Sequence, residues 1–301
     1  MMTAIAVTAA IYLLLLVFRA ALAMGYSRTV PGNGQAALPA GSLTIAQPIL
    51  SGDPLLESRL AANLMELPDQ TFLWLVDEDD LEANRVAEAL RVTHPLVNLT
   101  VVRCPPCGDA TNPKLWKLRY ASAMVETPYF CVLDDDTTLS SASAAALVAG
   151  AANHTVATGL PCYLDSGDIP SGLLAQFVNN NSVFTYLGTS RLLAPFTLNG
   201  MGYVMKKHEL DRLGSFEPIL NELTDDLAVA TLVLEEGGSI HQSVATLRVQ
   251  TGVEDLRHYV NVMHRWYVFT LLLMKRQKLA SQALIFVLHG FPPMLLIALV
   301  A

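Results

Sequence analysis

The 301-residue sequence predicts an α/β domain built on a mainly parallel sheet and held between apolar segments that belong in a membrane. Three observations carry that prediction. Strand and helix signals alternate from residue 40 to residue 254, acidic clusters close two of the strand signals, and both ends of the chain are apolar. Composition agrees: 52% of residues are apolar and 15% charged, with a mean hydropathy of +0.39, greasier than an ordinary soluble enzyme. The net charge of −8 comes without a basic stripe, which argues against nucleic acid as a partner.

Residues 3 to 24 form an apolar stretch interrupted once by Arg19 and long enough to cross a bilayer. Ala21-Leu22-Ala23 resembles a signal-peptide cleavage site, but no basic residue precedes the stretch, whereas Arg19 and Arg28 lie towards its far end and beyond. Positive-inside reasoning therefore predicts an uncleaved anchor over residues 1–25 with the rest of the chain in the cytoplasm. SLTIAQPIL, residues 42 to 50, reads as a strand, and Asp53-Pro54 as the cap and first-turn proline of a helix carrying Leu56, Leu60 and Leu64. Phe72 to Val76 is a buried strand that ends on Asp77-Glu78-Asp79-Asp80. Ala83, Val86 and Leu90 mark the next helix and Leu99 to Val102 the next strand. Asn112-Pro113 repeats the cap-plus-proline start, and Leu115, Leu118, Ser122 and Val125 share one helix face. Tyr129 to Leu133 is then a strand running into Asp134-Asp135-Asp136.

Thr224 reads as the cap of a helix that carries Asp225, Asp226, Leu227, Thr231 and Leu234 until Gly237-Gly238 stops it. Asp255 to Lys278 reads as a helix in the membrane interface, with His258, Asn261 and Arg265 turned to the protein and apolar residues turned to lipid. Residues 281–301 are apolar but interrupted by Gly290, Pro292 and Pro293, which predicts a re-entrant segment or two short interfacial helices. The run reaches Ala301 without a polar flank, as a truncated or minimal membrane tail would. The predicted organisation is an anchor (1–25), a catalytic domain (40–254), an interfacial helix (255–278) and a membrane-associated tail (281–301).

Like charges as close as Asp134 to Asp136 repel by about 1 kcal/mol even in bulk water, and more where solvent is scarce. Taken alone, the trio reads as a cation site for a diphosphate, a phosphatase nucleophile loop or a solvated turn. In a parallel sheet, ligands bind beyond the carboxyl ends of the strands, and two acidic clusters at such ends weigh against the solvated turn. Asp225 and Asp226 suit a helix first turn on dipole grounds, or Asp226 is a general base aimed into the cleft. Arg265-Trp266 offers a guanidinium fork for phosphate oxygens and an indole for apolar or sugar faces. The basic group Lys275, Arg276 and Lys278 suits anionic lipid. Cys104-Pro-Pro-Cys107 has metal-ligand spacing, but no second pair accompanies it, so a loop with two free thiols is the expectation. The sequons at Asn98, Asn153 and Asn180 are what chance supplies at this length.

The order VDEDD, LDDDT, TDDL, HRW between apolar segments resembles membrane-bound family 2 glycosyltransferases of GT-A fold, and more narrowly the ceramide glucosyltransferases and their bacterial relatives. QPILSGDP, NPKLWKL, GLPCY and NGMGYVMKKHEL support the resemblance, which covers residues 40 to 270. It implies inverting transfer from a nucleotide sugar such as UDP-glucose to a lipid hydroxyl such as that of ceramide. Asp77, Asp134, Asp136 and Lys114 would bind the nucleotide sugar, with Asp134 and Asp136 holding Mg²⁺ or Mn²⁺. Asp226 would be the general base, and Arg265 and Trp266 the end of a Gln-x-x-Arg-Trp motif whose glutamine position is Val262 here, with Asn261 next to it. Two other readings stay open: a haloacid-dehalogenase-like phosphatase with Asp134 as nucleophile and Asp136 as acid/base, and an inactive membrane scaffold.

Overall fold

The structure, a computed structural model, describes residues 2–30, 37–165 and 167–300. Met1 and Ala301, at the outer edges of the two predicted membrane segments, lie outside them. The first helix, α1 (Met2–Ser27), has 26 residues, and of its side chains only Arg19 and Ala23 are buried. At about 1.5 Å per residue it is long enough to cross a hydrocarbon core of about 30 Å.

The domain follows as β1 (Leu43–Ile49), α2 (Leu56–Glu66), β2 (Thr71–Asp77), α3 (Leu81–Thr93), β3 (Asn98–Cys104), α4 (Pro113–Ala123), β4 (Tyr129–Leu133) and β5 (Thr137–Thr138). Next come α5 (Ser141–Asn153), β6 (Val156–Tyr163), α6 (Ile169–Ser182) and a π-helical turn, Val183–Gly188. β7 (Gly202–Lys206), α7 (Lys207–Arg212), α8 (Asp225–Glu235), β8 (Ile240–Val249) and α9 (Leu256–Lys275) complete it. The tail is α10 (Leu279–Ile285), a second π-helical turn (Phe286–Gly290) and α11 (Phe291–Val300).

The strands form one sheet in the order β3-β2-β1-β4-β7-β6-β8-β5. The parallel expectation holds for β3, β2, β1 and β4, but β7 lies antiparallel to both β4 and β6. Gly202, which opens β7, stands opposite Leu133, which closes β4, so the chain enters β7 at the end of the sheet where the acidic loops are. That reversal brings Asn199, Gly200 and Met201 to the carboxyl end of β4.

Side-chain alternation splits the core between the two faces of the sheet. Ile45, Phe72 and Trp74 pack with α2, α3 and α5 on one face, while Ala46, Leu75, Phe130 and Val132 pack with α4 and α8 on the other. Asn112 caps α4 by accepting from the backbone N–H of Lys114 (3.0 Å) and Leu115 (3.2 Å), and Asp255 caps α9 through His258 N–H (2.7 Å). Two predicted caps are not made. α2 begins only at Leu56, because Asp53 instead closes the preceding turn onto Leu55 N–H (2.8 Å) and pairs with Arg59 (2.7 Å). Thr224 stands before α8, but its hydroxyl makes no capping bond.

The predicted orientation of the interfacial helix is also corrected. The face of α9 packed on the protein is apolar: Tyr259, Val262, Met263 and Trp266 meet Tyr163, Val249 and Val253. Asn261 and Arg265 are exposed, as desolvation cost dictates for polar groups without partners. A third side of the helix carries exposed Leu256, Val260, Tyr267 and Leu271. The tail is neither re-entrant nor two separate helices: Leu279–Val300 is one helical run of 22 residues, long and apolar enough to cross a membrane. The π turn Phe286–Gly290 precedes Pro292 and Pro293, which lack the N–H a regular helix interior uses.

Candidate active site

The ends of β2, β1 and β4 lie side by side, with β1 in the middle. Its exit holds both acidic clusters. Leu50 N–H donates to Asp135 (2.8 Å), Ser51 N–H to Asp80 (2.9 Å), and buried Lys117 donates to the Ile49 carbonyl (2.8 Å) while pairing with Asp77 (2.7 Å). Asp80 additionally caps α3 through Ala83 N–H (3.0 Å). Asp135 and Asp80 thus anchor loops. Burial pushes Asp135 up to about 6 against the opposing Leu50 hydrogen bond.

Lys114, in the first turn of α4, forms the centre of the site. Its ammonium lies 2.6 Å from Asp134, 2.7 Å from Asp225 and 3.0 Å from the Gly200 carbonyl. Burial works against its charge, yet the two carboxylates hold Lys114 well above the ordinary lysine value. Burial raises Asp134 to about 7, with Lys114 pulling down and Asp136 and Asp225 adding repulsion. Asp226 borders the same cradle: a Cβ on Gly200 would stand 3.3 Å from its Cβ and 3.4 Å from its Oδ2. Burial, then the charge of Asp225, pushes Asp226 up to about 6. Asp136 accepts from the hydroxyls of Thr137 (2.9 Å) and Thr251, and its carbonyl accepts from Gln250 N–H (2.9 Å). Of the carboxylates Asp134, Asp136, Asp225 and Asp226, the ammonium of Lys114 pairs with Asp134 and Asp225.

The structure gathers Asp134, Asp136, Lys114 and Asp226. It sets Asp77 apart on the Lys117 pair. Trp266 reaches the cluster indirectly, edge-on to Tyr163 (centroids 6.3 Å apart) and tilted against Phe177 (6.4 Å). Burial, then the charges of Asp136 and Asp134, raise the Tyr163 phenol, so that ring touches the indole and lies within reach of the acids. Arg265 is exposed and makes no hydrogen bond or ion pair among the described residues. Sequence reasoning missed Asp225 and Lys117 as site residues. The first adjoins Asp226, and the second follows Lys114 at helical i, i+3 spacing, which places both lysines at the strand ends. Cys104 and Cys107 are free, and among the described residues no three His, Cys, Asp or Glu side chains are grouped as metal ligands.

The profile of glycosyl transferase family 21 matches residues 1–301. The chain belongs to that family. The likeness of VDEDD, LDDDT, TDDL and HRW to the ceramide glucosyltransferase group thus holds at the family level, and the phosphatase reading of Asp134 and Asp136 is set aside. Among solved structures, the mannosyltransferase PcManGT of Pyrobaculum calidifontis, in complex with GDP-Man and Mn²⁺, is similar over 97% of this chain and 85% of its own, with a TM-score of 0.61 at 15% identity. The fold is GT-A. No curated protein sequence matches the chain. The protein is a glycosyltransferase whose acidic cradle lies beyond the strand ends, where open α/β sheets bind ligands.

Proposed function

We propose that the protein moves a sugar from a nucleotide diphosphate sugar to the hydroxyl of a membrane lipid in one inverting displacement, with Asp226 as general base. The observation that carries the reading is the cradle in which Asp226 and Asp134 lie on either side of Gly200 and Lys114. A carboxyl raised to about 6 is ionised at neutral pH yet basic enough to take a proton, which is what an attacking lipid alcohol requires.

A divalent cation fits the residues present. Hard carboxylate oxygens in a buried cradle exceed the single ammonium of Lys114, and such donors suit Mg²⁺ or Mn²⁺. Asp134 and Asp136 would hold it, and when bound it neutralises charge developing on the leaving diphosphate. Lys114 keeps Asp134 and Asp225 in place. Asp77 with Lys117 faces the nucleoside end at β2, and Arg265, unengaged on α9, is free to meet phosphate oxygens. Trp266 and Tyr163 form an apolar wall against the sugar or acceptor.

The acceptor reaches this site from the bilayer. α1 and the tail supply two spans, and the exposed stripe of Leu256, Val260, Tyr267 and Leu271 lays α9 on the membrane surface. Arg28, with Lys275, Arg276 and Lys278 at the far end of α9, supports a domain on the cytoplasmic side under the positive-inside rule. UDP-glucose and ceramide are the pair favoured by the family. The test is transfer in nanodiscs with Mn²⁺, UDP-glucose and ceramide, the product read by mass spectrometry and its anomer by NMR. Wild type should form the inverted glycolipid with a rate that falls as pH drops below about 6. Asp226→Asn should lose about 10²- to 10⁴-fold in rate while keeping donor affinity. An Asp226→Asn enzyme as fast as wild type would remove the basis of the mechanism.

A further inference from the structure

Arg19 is the only charged side chain of α1, and 7% of it is exposed. An arginine so placed in a bilayer is costly, and its partners are unusual. Its guanidinium stands 4.7 Å over the Phe184 ring and 3.5 Å from His289 Nδ1; its Nε has no partner, and no carboxylate pairs with it among the described residues. Since an arginine only donates, His289 accepts at Nδ1 and carries its proton on Nε2, which donates to the Thr189 hydroxyl at 2.9 Å. One relay therefore joins the N-terminal span, the tail and the catalytic domain.

Both π turns meet at this relay. Thr189 directly follows Val183–Gly188, and His289 lies inside Phe286–Gly290. Such turns weaken a helix and recur at functional sites. Gly188 faces α1 here, and a Cβ on it would stand in ordinary contact, 3.7 Å from the Arg19 carbonyl. The seam above the relay is apolar: Ala23, Leu160 and Leu187 pack with Tyr26, Phe184 and Tyr186. Burial, then the charge of Asp226, raise the Tyr186 phenol, so the Tyr186 end of the seam lies within reach of that charge. From Thr189 the chain leads to Asn199, Gly200 and Met201, whose contacts are with Thr158 (3.0 Å), Lys114 (3.0 Å) and Asp134 (3.0 Å) respectively.

We infer that Arg19, Thr189 and His289 are positioning residues, a polar lock that fixes the π turn Val183–Gly188 against α1 so that the seam between them guides the acceptor's apolar chain to Asp226. The inference rests on the lipid-acceptor reading above. An apolar residue in place of Arg19 would remove a buried cation without a counter-ion, so the lock costs stability and acts on substrate placement.

The test uses the full chain in nanodiscs. Thr189→Val keeps the shape and removes the acceptor of the His289 bond, and Thr189→Ser restores it. With long-chain ceramide in the bilayer, Thr189→Val and His289→Leu should raise the acceptor KM about fivefold, the effect of one hydrogen bond, and Thr189→Ser should not. The donor KM and the rate on a short-chain, water-soluble ceramide should be unchanged, and Arg19→Leu should keep or raise Tm while losing long-chain activity. A second readout needs no turnover. Gly25 adjoins Arg191, whose Nε lies 3.6 Å from a Cβ built on Gly25, so Gly25→Cys with Arg191→Cys should cross-link through a short bismaleimide, and less so when Thr189→Val is added. Undiminished cross-linking, or equal loss on both acceptors together with a lower Tm, would overturn the lock. Absence of transfer by the wild-type enzyme would instead sink the lipid-acceptor reading.

Discussion

Lys114→Met removes the one cation between two buried carboxylates while keeping the length of the side chain. Lys114, Asp134 and Asp225 are only 21%, 24% and 20% exposed, so water replaces little of the lost attraction. Breaking a buried pair by deleting one partner costs about 3–5 kcal/mol. The cost here is smaller, because Asp134, already raised to about 7 by burial, takes up a proton once Lys114 is gone. A loss of about 2–3 kcal/mol remains, and about 2–4 °C of Tm per kcal/mol for a chain of this size gives a drop of about 4–12 °C. The pH dependence separates this from simple loss of packing. The folded value of Asp134 lies above its ordinary 3.8, so its contribution to stability is whole below pH 4 and disappears as pH rises towards 7. Without Lys114 that window extends above 7. The gap in Tm between wild type and Lys114→Met, measured by thermal unfolding in detergent, should widen from pH 5 to pH 8. A constant gap, or one that narrows over this range, would refute the assignment of Lys114 as the counter-ion of Asp134.

Two glycines test the geometry separately. Gly200→Ala puts a methyl 3.3 Å from Asp226 Cβ, displacing the base by a few tenths of an ångström. Steady-state kinetics should show kcat down by about tenfold, since misplacement by 1 Å costs about 10²-fold, with donor KM and Tm little changed. Gly238→Ala meets Thr155 Oγ1 at 2.6 Å and the Val233 carbonyl at 2.8 Å, atoms held by β6 and α8. It should lower stability by about 1–3 kcal/mol in a denaturant titration, with Gly108→Ala, where the nearest atom is 3.7 Å away, as a neutral control.

The strand ends were legible because apolar runs such as FLWLV and FCVL stop abruptly on aspartates, and a sheet that buries both faces has no other place for such charge. The reversal at β7 was not, because GYVM reads as a strand in either direction and only the path of the preceding loop decides which. The contact face of α9 was misread for a related reason. His258, Asn261 and Arg265 share a helix face, but so do Tyr259, Val262, Met263 and Trp266, and burial goes to the set that loses no hydration. Lys114 was found only through its motif; its pairing with Asp225 joins α4 to α8 across residues far apart in sequence. Both π turns escaped detection, since an inserted residue leaves helical periodicity almost intact over so short a run.

Val262 then acquires a physical reading. It lies in the apolar cluster with Tyr163, Val249, Val253 and Met263, where a glutamine amide would be desolvated among side chains that offer it almost no partner. Nor does Asn261 stand in for it. One residue along a helix is a rotation of about 100°, and Asn261 is exposed where Val262 is buried. Trp266, one turn beyond Val262, keeps the packing side of the motif against Tyr163 and Phe177. In this chain α9 therefore contributes an apolar wall and an unengaged Arg265. The polar work of holding the acidic cradle together falls to Lys114 on α4 and Asp225 on α8.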